Sequence, residues 1–153
     1  SSHFGSSVPF LWALDQRAAC RAVAMASADG AAAVEGMPVV SAEVLRELKD
    51  PLIIDARDPE EVTEGKGGPP LEGSINVPFN MDGAKQSDRP TSASDYVAKL
   101  EEAKALPADK NAAIITHCGA GGRGGKSCAV ITSLGYTNVH NGGGPDNIRA
   151  ARG

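Results

Sequence analysis

Polar and apolar positions alternate in short blocks along most of this chain. From Met37 onward, apolar runs of strand length are separated by stretches with helical spacing. Met37 to Val40 reads as a short strand. Ser41 is a good N-cap for a helix with Val44, Leu45 and Leu48 on one face, and Pro51 stops it. Leu52 to Asp55 is an apolar run that ends in Asp-Ala-Arg. Pro59 starts a brief helix through Glu60, Glu61 and Val62. Residues 65 to 73 hold four glycines and two prolines and must be loop. Ser74 to Val77 is another short strand, closed by Pro78. Residues 80 to 93 are polar and irregular. Ser94 is expected to cap a helix in which Tyr96, Val97 and Leu100 face a core. Ile114 and Ile115 belong to the next strand, and Val139 begins the last. Gly142 to Gly144 and Pro145 lead into a terminal turn or helix.

Strands alternating with helices predict an α/β fold: a mostly parallel sheet covered on both faces. The expected core is aliphatic, because the aromatics after residue 37 are Phe79, Tyr96 and Tyr136. Residues 1 to 36 lack the pattern. They are rich in Ala and Ser, carry Arg17 and Arg21, and hold few acids. They read as a disordered or transit-peptide-like extension, which would suit a plastid or mitochondrial protein. The domain proper is expected over 37–153.

Bulk properties narrow the function. A length of 153 residues suits one domain with a real core. A net charge of −4 argues against general nucleic-acid binding. No apolar run approaches the ~20 residues that span a membrane. The cysteines, Cys20, Cys118 and Cys128, lack zinc-ligand spacing, and an odd number cannot all pair, so a reduced intracellular compartment is expected. A monomer is expected.

The chemistry concentrates after Ile115. His117 and Cys118 end the apolar run, and five of the next seven residues are glycine, with Arg123 among them. From Lys126 the pattern turns helical. A strand, a glycine loop and a helix N-terminus together make an anion cradle of backbone N–H groups. Cys118 lies at its mouth. A free thiol has a pKa of about 8.5, and such a cradle favours its thiolate. Residues 119 to 122 carry no acid to oppose this, and Arg123 adds a permanent cation. In an α/β sheet, ligands bind beyond the carboxyl ends of the strands. Asp55 and Arg57 are expected on that same edge, either bracing the loop and facing the substrate or forming a structural ion pair.

Several stretches together resemble the single-domain rhodaneses, the thiosulfate sulfurtransferase-like family, and most of all its short phage-shock type. They are Leu-Ile-Ile-Asp-Ala-Arg-Asp-Pro-Glu-Glu at 52–61, Gly-Ser-Ile-Asn-Val-Pro at 73–78, and Cys118 with Arg123 closing a six-residue loop. Leu-Gly-Tyr-Thr-Asn-Val at 134–139 and the glycines after Asn141 also match. The chain departs from the family in lacking a histidine before its Gly-x-Ile-Asn strand and a tryptophan after the last glycines. The resemblance implies a rhodanese-like three-layer fold and a sulfurtransferase. Cys118 would attack the outer sulfur of thiosulfate and release sulfite. The persulfide left behind would be delivered to cyanide or a thiol, without metal or cofactor. Gly119, Ala120, Gly121 and Gly122 would hold the sulfur through their N–H groups, and Arg123 the sulfonate oxygens.

Other readings remain. Ala120 to Ser127 nearly fits a P-loop, but only 26 residues follow Ser127, with no strand ending in Asp. His117-Cys118 resembles the start of a cysteine-phosphatase signature, whose loop is one residue longer before its arginine. The domain can also be a sulfur-carrier module acting with a partner protein. His117 reads as a buried, hydrogen-bonded strand end, Cys128 as a buried helical thiol, and Lys126 as a solvated lysine. His3 and His140 belong to no metal-ligand constellation.

Overall fold

The computed structural model describes residues 34–80 and 91–153. Trp12, Cys20, His3 and the rest of the expected extension up to residue 33 lie outside the described residues, as do 81–90 of the irregular stretch. The elements follow in chain order: α1 (Ala42–Glu47), β1 (Leu52–Asp55), α2 (Pro59–Glu64), β2 (Ile75–Asn76), α3 (Ala93–Glu102), β3 (Ile114–His117), α4 (Gly122–Ser133), β4 (Val139–Asn141) and α5 (Pro145–Arg152). The strands form one parallel sheet in the order β2-β1-β3-β4. No described helix is long and apolar enough to cross a membrane.

Each layer follows from strand alternation. Ile54 and Ile114 point into the larger core, with Val77, Phe79, Tyr96, Leu100, Val130 and Ile131. Ile115, one residue on from Ile114, points to the other face and meets Leu45, Ile148 and Ala151. Thus α3 and α4 cover one face and α1 and α5 the other. Val34 is buried in the larger core.

Three local expectations need correction. Met37 to Val40 is not a strand. Only Val39 bridges Asn141, because Met37 N–H goes to Gly125 O (3.0 Å) and Met37 O accepts from the Asn141 side chain (2.8 Å). The cap of α3 is Ser92, whose Oγ accepts from Asp95 N–H at 3.2 Å, and not Ser94. Two serines with the same capping chemistry stand two residues apart, and the earlier one takes the role. The helix α4 begins at Gly122, well before Lys126.

Register brings the strand ends together. Asp55 pairs with His117 and with Asn76, and Thr116 with Asn141. All lie at the carboxyl edge of the sheet. Here β1 is tied down by a buried ion pair. Arg57 Nη2 lies 2.6 Å from Asp55 Oδ2, and its Nε donates to both carboxylate oxygens at 2.9 and 3.0 Å. Arg57 is fully buried. Its Nη1 donates to Lys66 O (3.0 Å) and Gly68 O (2.6 Å), which pins the glycine loop 65–73 to the end of β1. Of the two sequence readings of Arg57, the structural ion pair is the one the fold adopts.

Removing one partner of such a pair strands the other charge in the interior. Arg57→Ala should therefore lose about 3–5 kcal/mol of stability in urea denaturation. The double variant Asp55→Ala/Arg57→Ala should lose less than the sum of the single losses. Strict additivity would mean the pair is not coupled.

Candidate active site

The strand β3 is fully buried and delivers Cys118 to the sheet edge. Cys118 N–H donates to Gly143 O at 3.0 Å, so the start of the loop is held by the chain after β4. The loop closes at Gly121, whose φ of 104° is a conformation that suits glycine. Gly121 is the N-cap of α4, and its carbonyl accepts from Gly125 N–H at 2.8 Å. Glycine is a poor helix former. Packing overrides propensity here: a Cβ on Gly124 would lie 2.7 Å from His117 Cα, and one on Gly125 would strike Met37 O. The first turn of α4 lies directly on β3 and on the 34–40 stretch, and only glycine permits that approach. The same requirement holds at Gly144, where a Cβ would lie 2.6 Å from Gly119 O.

Cys118 is almost wholly buried, and its Sγ accepts the Gly121 N–H at 3.1 Å. Among the described residues no side chain caps α4, and its first turn contains no acid. The helix dipole and the orphan N–H groups of that turn are thus available to a negative atom at Sγ. Among the described residues, Cβ atoms built on Gly119 and Gly122 would meet nothing within 4 Å. Gly67 closes the other side, its Cβ position 3.0 Å from Gly119 Cα. Arg149 Nη2 holds this rim from α5 by donating to Pro69 O (2.6 Å) and Pro70 O (3.1 Å).

Charged groups are arranged differently from the sequence expectation. Arg123 projects from the first turn of α4 toward α2. There its Nη1 and Nη2 grip the two carboxylate oxygens of Glu61, the second contact at 3.0 Å. Asp58 Oδ1 is 3.7 Å from Nη1. The guanidinium fork is taken up by acids and not turned into the loop. Hydrogen bonds from Arg123, reinforced by Asp58 N–H, hold the Glu61 carboxyl down at about 2. Arg57 does not face the site, and Asp55 braces Arg57 and through it the rim.

His117 is buried. Its Nδ1 is 3.4 Å from Cys118 O, and its Nε2, without a hydrogen bond among the described residues, lies 3.8 Å from Asp55 Oδ2. Burial lowers its pKa, so the ring is neutral. Cys128 is buried with its Sγ 3.7 Å from Met37 Sδ, and desolvation pushes its thiol up to about 12. That thiol is not poised to ionise. Lys126 Nζ sits 5.9 Å from the centroid of the Phe79 ring, and His140 Nε2 is 2.7 Å from Asn138 Oδ1.

Asn141 is a residue that sequence reasoning passed over. It is buried at the end of β4. Its Nδ2 donates to Gly121 O (3.0 Å) and Met37 O (2.8 Å), and its Oδ1 accepts from Gly143 N–H (3.0 Å). One carboxamide therefore joins the Cys118 loop, the chain before α1 and the turn after β4. The available signal was an Asn before three glycines, a place where its amide commonly bonds nearby backbone.

Comparison with known proteins gives this geometry a family. The Rhodanese-like domain model matches residues 41–144, from the Ser41 cap to the last glycine against the loop. The chain belongs to the rhodanese-like family. It is 30% identical over 95 residues to the thiosulfate sulfurtransferase PspE of Escherichia coli (strain K12), an alignment covering 62% of this chain and 71% of that protein. A solved structure described as a rhodanese with anions from E. coli aligns over 63% of this chain and 88% of its own, at 25% identity and a TM-score of 0.41. The rhodanese-like segment contains Asp55, Glu61, Cys118, Arg123 and Asn141.

Asn141→Leu keeps the approximate volume but removes all three hydrogen bonds. It should cost about 1–3 kcal/mol for each buried group left unmatched, seen as a lower thermal midpoint. Asn141→Asp retains the Gly143 contact but turns carboxylate oxygen toward two carbonyls, so it should be no better. An unchanged midpoint in Asn141→Leu would mean the clamp contributes nothing.

Proposed function

We propose that this rhodanese-like protein is a sulfurtransferase that carries sulfane sulfur as a persulfide on Cys118. The observation that carries this reading is the position of Cys118 Sγ, which accepts the Gly121 N–H before the uncapped, acid-free first turn of α4. The similarity to a thiosulfate sulfurtransferase makes thiosulfate the donor of choice.

The thiolate of Cys118 attacks the outer sulfur of thiosulfate. The S–S bond of the donor breaks, and sulfite leaves with the bonding electron pair. The new terminal sulfur is anionic and sits beyond Sγ, where backbone N–H groups of Gly119 to Gly122 stabilise it as an oxyanion hole stabilises oxygen. A thiophilic acceptor, cyanide or a thiolate, then attacks that sulfur and returns Cys118 as thiolate. Two half-reactions on one nucleophile give ping-pong kinetics. Neither half needs a general base if the thiolate is already formed, which fits a neutral, buried His117. Arg123 supplies positive charge for the sulfonate oxygens once its fork is released from Glu61. Asp55 and Arg57 hold the rim loop and do not touch the donor.

Cys118→Ser should abolish sulfur transfer while leaving the thermal midpoint nearly unchanged, and Cys128→Ser should keep most of the activity. Mass spectrometry after thiosulfate treatment should find about one extra sulfur on the Cys118 peptide. Equal loss in both variants, or a modified peptide without Cys118, would overturn the mechanism.

A further inference from the structure

The fork of Arg123 is occupied at the mouth of the site. Its partner is a fixed carboxylate and not a wandering surface acid. Glu61 Oε2 also accepts Asp58 N–H at 2.9 Å, in the first turn of α2. The helix that starts at Pro59 therefore sets where the carboxylate stands. Its low pKa keeps it ionised across the physiological range. Asp58 adds a second negative charge 3.7 Å from Nη1. Together, Asp58 and Glu61 outnumber the single charge of Arg123. The Arg123 and Glu61 side chains retain 22% and 27% of their exposure, so the pair stands at the solvent edge and can be exchanged for a ligand.

We propose that Glu61 determines which donors the site accepts by their charge, because its bidentate hold on Arg123 must be displaced by a dianionic donor. This inference rests on the sulfurtransfer reading above. Thiosulfate carries two negative charges into a mouth whose arginine is already paired, and it must take the guanidinium from Glu61 to be held. A monoanionic thiosulfonate with an apolar substituent delivers the same outer sulfur with less need of that cation. Its reaction is the same displacement, with a sulfinate leaving in place of sulfite. Without relief from Glu61, the site favours the less charged donor class.

Glu61→Gln tests this. The amide oxygen still accepts Asp58 N–H, so α2 keeps its first turn, but the charge that competes with the donor is gone. Sulfur transfer is measured with thiosulfate and with benzenethiosulfonate, to cyanide as acceptor. The expected result is a gain in kcat/KM for thiosulfate relative to benzenethiosulfonate of roughly 2- to 5-fold, the scale of one solvent-edge ion pair, carried mainly by KM. Glu61→Ala should move the ratio in the same direction on a differently perturbed helix. In an Arg123→Ala background, Glu61→Gln should leave the ratio unchanged, because there is no fork to release. An unchanged ratio in the Arg123 protein would overturn the proposal. So would an equal shift in the Arg123→Ala background, which would mark a plain field effect of Glu61. If the unaltered protein loads Cys118 from neither donor, the sulfurtransfer reading fails first and this inference falls with it.

Discussion

The ion pair between Asp55 and Arg57 stands at the end of β1, fully desolvated, and the edge of the sheet is arranged around it. A buried guanidinium needs acceptors for each of its N–H groups. Asp55 satisfies one side, and backbone carbonyls satisfy the other. Lys66 and Gly68 supply them. The glycine-rich 65–73 segment is therefore fixed over the loop that follows β3. The pair gives the site its outer wall, and its charges are spent on that wall.

The interior of the site is built from backbone. Cys118 is surrounded by glycines that meet other main chain at distances no side chain allows: Gly124 over His117, Gly144 against Gly119. Such contact leaves little room for the loop to widen. Positive potential at the thiol comes from N–H groups and a helix end whose first turn holds no acid. The formal cation on the loop is held by Glu61 at the mouth, while backbone N–H groups stand directly at the sulfur.

Much of the frame was legible in the sequence. The strands β1 and β3 were visible as apolar runs with clear stops, and the order of strands and helices implied a parallel sheet. Cys118 could be placed at a strand end because the glycines after it exclude regular structure by propensity alone. The same glycines hid the start of α4. Only contact with His117 and Met37 explains why a helix begins among them. The grip of Glu61 on Arg123 was hidden for another reason. The two residues are 62 apart in the chain, and no local pattern says which acid reaches which base. Arg57 illustrates the limit most plainly. The motif located it at the right edge of the sheet, but burial and not position decides whether an arginine faces a ligand or the core.

The stretch before α1 has a consequence for how molecules of this protein meet one another. A sheet edge with unpaired N–H and C=O groups is a template for a strand from another chain. At β4 that template is partly taken, because Val39 bridges Asn141 and Val40 N–H donates to Asn141 O at 3.0 Å. At the opposite edge β2 offers only Ile75 and Asn76, and Pro78 soon interrupts any extension. Among the described residues, neither flank presents a long flat ladder. The crossing segment that props the glycine turn of α4 thus also works as an edge guard, discouraging strand-by-strand aggregation of a protein whose parallel core cannot form from local contacts alone.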